Sequence, residues 1–383
     1  MTDDLQLQLV DENGNSDTTR LSWATSLFYF GMLAGLYPMT FALQKIDMGR
    51  LLGCIVCLWA VTCASTVACT DYKGLYVQRF FLGVVESIVP TGFMCIVSNY
   101  YTQQEQSMRQ SWWFSSTGLF IMIGGGINYG FATIESGSLA KWQYIYIMAG
   151  ATTFIFALMC FVLPNNAGEA WFLKKDERIA AKERLRLGQT GIRETDFKWS
   201  HVKEAVLDIK TWLIFVMMAA SYTMNGCVSG FGPIIVNTLG WTPLQSLLLQ
   251  FPMGFCCFAS ILICGYLGTY FKNIRIVMMI VTCLFVMVGC IMIWKSSWYE
   301  KAPAPVIGYS LTGIFGATVC LVITIGMSNT AGSTKKSFMS ATIFVAYCVG
   351  NIVGPQLVFS ETQDQHYPAL WTGIIIWSVI LSP

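Results

Sequence analysis

GLYVQRFFLGVVESIVPTGFMCIVSNYY, residues 74–101, is the stretch whose reading decides the fold. It is long enough to cross a bilayer, for which about 20 mostly apolar residues suffice. Yet it carries Arg79 and Glu86 inside an otherwise apolar run. Seven residues are about two helical turns, so the two charges share roughly one face, on the order of 10 Å apart along the axis. A charge at the centre of a membrane costs roughly 2.5–3.5 kcal/mol on insertion scales, so such residues face a bundle interior or a wet cavity. Three readings are open: a substrate or proton site, a structural ion pair, or an Arg79 that snorkels to the nearer surface. Intramembrane charge marks pathways by default, and the first reading leads. Pro90 and Gly92 predict a bend in the same span.

Composition agrees with a membrane-embedded chain. Of 383 residues, 55% are hydrophobic and 11% charged, whereas soluble domains carry about 25% charged residues. A net charge of +2 implies no nucleic-acid partner. The 14 cysteines are scattered through apolar runs and read as small packing residues. The C-x-x-C of Cys54 and Cys57 has no histidine or second pair nearby, so no metal or other cofactor is expected. His201 and His366 have no nucleophile or metal-spaced partner, so no enzyme is expected either.

Working outward, ten full spans are predicted at 21–43, 51–69, 74–101, 112–131, 144–163, 212–239, 244–271, 276–294, 305–327 and 338–359. A short eleventh follows at 367–381. The expected fold is an all-α polytopic membrane protein of two helical bundles. Residues 1–20 form an acidic, disordered tail. A first bundle of five spans covers 21–163, a linker 164–210, and a second bundle 211–383. Lys and Arg concentrate in alternate connections, above all the linker, which places those connections and the linker in the cytoplasm. That orientation and the five-plus-six split suggest a twelve-span design with its first span absent and its last clipped. Within the linker, FLKKDERIAAKERLRLG mixes both charge signs with Ile179, Leu185 and Leu187. It reads as a surface amphipathic helix or a solvated helix laced with charge pairs.

Further candidates lie in the second bundle. Asn225, Ser229, Gly230 and Pro233 are expected to interrupt its first span, and carriers place sites at such interruptions. For Asn225 a cavity role and an interhelical hydrogen bond are equally open. Tyr347 and Asn351, one turn apart, share one side of the penultimate span, either lining a cavity or packing on a neighbour. Gly124, Gly125, Gly126 and Gly130 predict close helix packing. Trp112, Trp113, Trp142, Trp212 and Trp298 sit near span ends as interfacial anchors.

Four regions together resemble a known family. VQRFFLGVVESIVPTGFMCIVSNYYTQQEQSMRQSWWFSSTG (77–118), AWFLKKDERIAAKERLRLGQTGI (170–192), LDIKTWLIF (207–215) and FVAYCVGNIVGPQLVF (344–359) are similar to the major facilitator superfamily. Within it they resemble the fungal allantoate permease group of the anion:cation symporters. The resemblance implies a major facilitator fold and a monomeric, proton-coupled carrier of a small organic anion, such as a carboxylate, ureide or vitamin, in the plasma membrane. It also implies that Arg79 and Glu86 bind anion and proton. Alternatives are a truncated or degenerate non-transporting copy, or an exporter of a secondary metabolite.

Overall fold

Apolar runs of twenty or more residues cannot leave backbone amides unpaired in lipid, so they fold as helices. A computed structural model describes residues 4–7, 9–10, 16–17, 19–133, 138–187, 198–238, 243–271, 273–296, 303–356 and 372–373. The first half contains α1 (Thr19–Lys45), α2 (Met48–Ser65), α3 (Tyr72–Glu86), α4 (Ile88–Tyr100), α5 (Gln103–Ala132) and α6 (Lys141–Cys160). The connection carries α7 (Lys175–Leu187) and α8 (Trp199–Leu207). The second half contains α9 (Ile209–Thr238), α10 (Pro243–Leu248), α11 (Gln250–Tyr270), α12 (Arg275–Lys295), α13 (Pro303–Thr312), α14 (Phe315–Ser328) and α15 (Ser333–Gln356). Among the described residues, eight helical stretches are long and apolar enough to cross a membrane, and α8 with α9, bent by 68°, makes a ninth. The chain is a multi-pass, all-α membrane protein. The short span expected at 367–381 lies almost wholly outside the described residues.

The bend expected in the 74–101 run falls between α3 and α4, at Ser87. Pro90 has no N–H to give the carbonyl of Glu86, four residues earlier, and the helix breaks there. The run still counts as one span, Tyr72–Val97. By contrast, α9 passes through Asn225, Ser229, Gly230 and Pro233 without the expected interruption. A proline removes a single helical bond, which a membrane helix absorbs where neighbours re-satisfy the backbone.

Helices pair through small residues. α1 lies on α3 so closely that a Cβ on Gly31 would strike the Phe80 carbonyl, and one on Gly83 the Phe28 carbonyl. α2 pairs with α6, α9 with α15 and α12 with α13. The halves meet along α5–α11 and α1–α15. On the first seam a Cβ on Gly118 would lie 2.7 Å from the Gly254 oxygen, and one on Gly125 3.0 Å from that of Leu247. Gly125 and Gly126 thus pack as expected, while nothing lies within 4 Å of Gly124 or Gly130. α14 is apolar all round and almost wholly buried, as such a helix must be. Its core continues across the seam to Met32, Leu36, Met94 and Phe114 of the first half.

Within the N-terminal tail, Leu5 and Leu7 are 2% exposed and pack with Ala24 and Leu75. Asp4 accepts a hydrogen bond from Trp142 Nε1 at 2.7 Å. Trp113 is no interfacial anchor: it stacks on Phe93 inside the first half, centroids 5.5 Å apart. Trp112 and Trp212 are exposed, as anchors must be.

At the end that carries the basic loops, the turn after α1 is tied down by Asp47. Its Oδ1 accepts from the Arg50 amide at 3.1 Å and its Oδ2 from Asn165 Nδ2 at 3.0 Å. Asn165 Oδ1 in turn accepts from the Met48 amide at 2.7 Å. The Arg50 amide, followed by the Asn165 bond, holds the Asp47 carboxyl below its ordinary value of 3.8. The folded pKa is the lower one, so this stabilisation is complete above the ordinary value and is lost as pH falls through the folded value. Asp47→Ala is expected to cost about 1 kcal/mol at neutral pH, the usual worth of a helix N-cap. The thermal midpoint in detergent reads it, and the gap to the native chain closes in acid.

Candidate functional site

α3 brings Arg79 and Glu86 to one face, as their spacing requires, and four other helices close around them. Arg79 Nη2 donates to the Tyr146 hydroxyl of α6 at 2.7 Å, with the guanidinium carbon 5.9 Å from that ring. The head group is therefore held by a neighbouring helix of the first half. Glu86, half-buried at the end of α3, lies within electrostatic range of Arg79, of Tyr29 on α1 and of Tyr347 on α15. Cys63 of α2 feels both charges. No ion pair within 4 Å joins Arg79 to Glu86 among the described residues. The structural ion-pair reading is thus not what the structure shows. A guanidinium bound to a neutral phenol keeps its full charge and most of its five donors for a ligand.

The second half contributes through α15. The Tyr347 ring packs edge-on against Tyr222 of α9 at 4.3 Å and against Tyr29 at 5.6 Å. One turn on, Asn351 donates to the Tyr347 carbonyl at 2.9 Å and accepts from Asn225 Nδ2 at 3.1 Å. Asn225, Tyr347 and Asn351 are therefore brought together, and the asparagine pair forms the interhelical bond that was one of the two readings for Asn225. Asn351 is 1% exposed. Ser229 is on α9, but its side chain lies outside the described residues. Tyr29, Tyr146 and Tyr222 were missed in the sequence. A lone tyrosine in an apolar span carries no local signal of what it faces.

The hollow expected beside the two charges is not where the described pocket lies. That pocket sits nearer the basic end, between α4, α5 and α14, and Arg79 and Glu86 do not line it. Between the halves the core is packed, and Gln44 of α1 binds Ser337 of α15 at 2.6 Å at the basic end.

An all-α, multi-pass chain of two helical halves with an arginine and a glutamate inside one span has the architecture of a membrane transporter. Residues 5–355 match the Major Facilitator Superfamily, and the chain belongs to that family. It is 32% identical over 361 residues to an uncharacterized transporter of Schizosaccharomyces pombe, covering 94% of this chain and 68% of the relative. It is 28% identical over 373 residues to the allantoate permease of Saccharomyces cerevisiae, covering 94% and 68%. The thiamine pathway transporter of the same yeast is 31% identical over 340 residues, covering 86% and 63%. The chain thus spans about two thirds of the length of these curated relatives. Among solved structures it is similar to the proton:xylose symporter XylE, with a TM-score of 0.75 at 10% identity, covering 94% of this chain and 84% of that one. The Escherichia coli fucose:proton symporter FucP gives 0.63 at 14%, covering 95% and 91%. These likenesses show the major facilitator fold expected from the sequence.

Proposed function

We propose that this transporter imports a small organic anion together with a proton by alternating access, as a monomer in the plasma membrane. Arg79 receives the anion and Glu86 carries the proton. The observation that carries this reading is a guanidinium held by a tyrosine hydroxyl and a carboxyl on the same helix face, with no ion pair within 4 Å between them. An arginine presents a planar fork to a carboxylate. A glutamate in a partly dry site loads and releases a proton as its surroundings change. Glu86 lies within range of Tyr347 on the opposite half, so a rocking motion of one half on the other alters its environment. Asn225, Asn351 and Ser229 belong to the second-half wall, the asparagines holding Tyr347 against Tyr29. The allantoate permease among the relatives makes a ureide carboxylate the first substrate to try.

The test is radiolabelled allantoate uptake into vesicles with an inward proton gradient. Concentrative uptake that collapses with a protonophore is expected. Glu86→Gln is expected to retain exchange of internal for external anion but to lose concentration against a gradient. Equal uptake with and without the gradient contradicts proton coupling.

A further inference from the structure

α8 is the nine-residue helix WSHVKEAVL (199–207), and the chain turns at Asp208 from it into α9. The two helices meet at 68°. With 30 residues α9 reaches about 45 Å and crosses a membrane unaided, so α8 is left to run along the surface at the basic end. One flank of α8 is docked on α15. Glu204 pairs with Lys335, the Lys198 amide donates to Thr334 Oγ1 at 3.5 Å, and Ala205 is buried. Helical spacing puts Trp199, Lys203, Val206 and Leu207 on the other flank, and all four are exposed, Leu207 by 75%. Ile209, Trp212, Leu213 and Val216 follow along one side of α9 and are exposed as well. The bare flank of α8 thus continues the strip that α9 turns to lipid. Trp212 Nε1 donates to the Val206 carbonyl at 2.8 Å and fixes the elbow, and a tryptophan at a span end marks the headgroup level. Lys203 and Lys210 border the strip. Both are exposed, and among the described residues neither makes an ion pair within 4 Å. The neighbouring carboxylates are engaged: Glu204 by Lys335, and Asp208 by the Lys210 amide, which donates to its Oδ1 at 3.0 Å.

We propose that the α8–α9 elbow is a docking surface for anionic phospholipid of the cytoplasmic leaflet. Trp199, Val206, Leu207 and Trp212 enter the boundary between headgroups and acyl chains, and Lys203 and Lys210 take the lipid phosphates. The lysine and arginine content of this end places it in the cytoplasm, and the cytoplasmic leaflet is the one that carries anionic lipid. Bulky apolar side chains bordered by lysines are the composition of a helix that lies in the interface. Lipid fits this strip better than a protein partner, because the strip runs without a break into the lipid-facing side of α9. The contact also reaches the seam between the halves. Glu204 and the Lys198 amide tie α8 to the first turn of α15, so lipid that holds α8 holds the base of the helix whose Ser337 bonds Gln44. This surface binds lipid whatever cargo is carried.

A photocrosslinker at position 207 reads the contact without any transport. The full chain, with Leu207 replaced by benzoylphenylalanine, is reconstituted into nanodiscs of phosphatidylcholine with a minor share of phosphatidylserine. After irradiation, peptide mass spectrometry identifies what is joined to residue 207. Each lysine beside an anionic leaflet strengthens the attraction about fivefold, so the ratio of phosphatidylserine to phosphatidylcholine adducts is expected to exceed their ratio in the bilayer about 25-fold. Lys203→Gln or Lys210→Gln alone lowers that excess about fivefold. The two together return the adducts to the bilayer ratio while lipid adducts persist, and an unchanged thermal midpoint shows that the fold is kept. The docking surface is overturned if residue 207 yields no lipid adduct, which would leave the elbow in water. Adducts to another protein chain alone also overturn it, and make the strip a protein interface. Lipid adducts at the bilayer ratio in the native chain, or an excess that survives both lysine substitutions, overturn the selection of anionic lipid.

Discussion

Arg79→Ala is expected to lower anion uptake about 100-fold or more, with normal amounts of protein in the membrane. Each hydrogen bond to a charged partner is worth about 1.5–3 kcal/mol, and a forked guanidinium makes two. A loss of about 3 kcal/mol is already more than 100-fold in affinity. The substitution leaves the helix intact, since alanine is the best helix former and Arg79 is only partly buried. The Tyr146 hydroxyl, its partner at 2.7 Å, loses a contact to a neutral group rather than an ion pair. Arg79→Lys keeps the charge but not the fork, and is expected to recover about a tenth of native uptake. Vesicle uptake normalised to protein content measures both.

The second large effect is on assembly. Gly83→Leu is expected to cost about 3 kcal/mol, through overpacking at the α1–α3 crossing. A Cβ at Gly83 would meet the Phe28 carbonyl and would lie 2.8 Å from the Met32 amide. Those are backbone atoms, which cannot swing aside as a side-chain tip does. Two helices must part, and in lipid their association rests on this close packing, because burial from water contributes little there. The same crossing positions Arg79 and Glu86, so the variant loses uptake and its thermal midpoint together. Gly130→Ala is the contrast. Nothing lies within 4 Å of its Cβ, and the helix gains about 0.5–1 kcal/mol relative to glycine.

Much of this architecture was legible in the residues. Long apolar runs fix helices because lipid offers the backbone no other partner: the ten full runs chosen from the sequence fall on α1 to α6 and α9 to α15. The run 305–327 is divided between α13 and α14, α5 begins nine residues before its run, and 367–381 lies almost wholly outside the described residues. The linker helix was legible from FLKKDERIAAKERLRLG, which forms Lys175–Leu187. The seven-residue spacing of Arg79 and Glu86 was legible too, since helical geometry alone puts them on one face. What each charge meets was not. Tyr146, Tyr29 and Tyr347 come from helices 67, 57 and 261 residues away along the chain (Arg79 to Tyr146, Tyr29 to Glu86, Glu86 to Tyr347), and no local pattern aligns them. Asn165 was legible only as part of a loop, yet it closes the Asp47 turn from 118 residues away. Gly31 and Gly83 look ordinary until both helices are in register. Pro233 misled in the other direction: it signals a break in isolation, but α9 absorbs it. Leu5 and Leu7 sit in a polar tail, and no local pattern there signals that these two leucines are buried.

The central claim is that the Arg79 position opens to water during the transport cycle and that the anion occupies it. Arg79→Cys, reconstituted and exposed to a membrane-impermeant charged thiol reagent, tests this directly through the modification rate at residue 79. The account predicts rapid modification by the charged reagent, slowed by saturating allantoate and restored when the anion is washed out. Modification only by a lipid-soluble maleimide, at a rate that allantoate leaves unchanged, contradicts it.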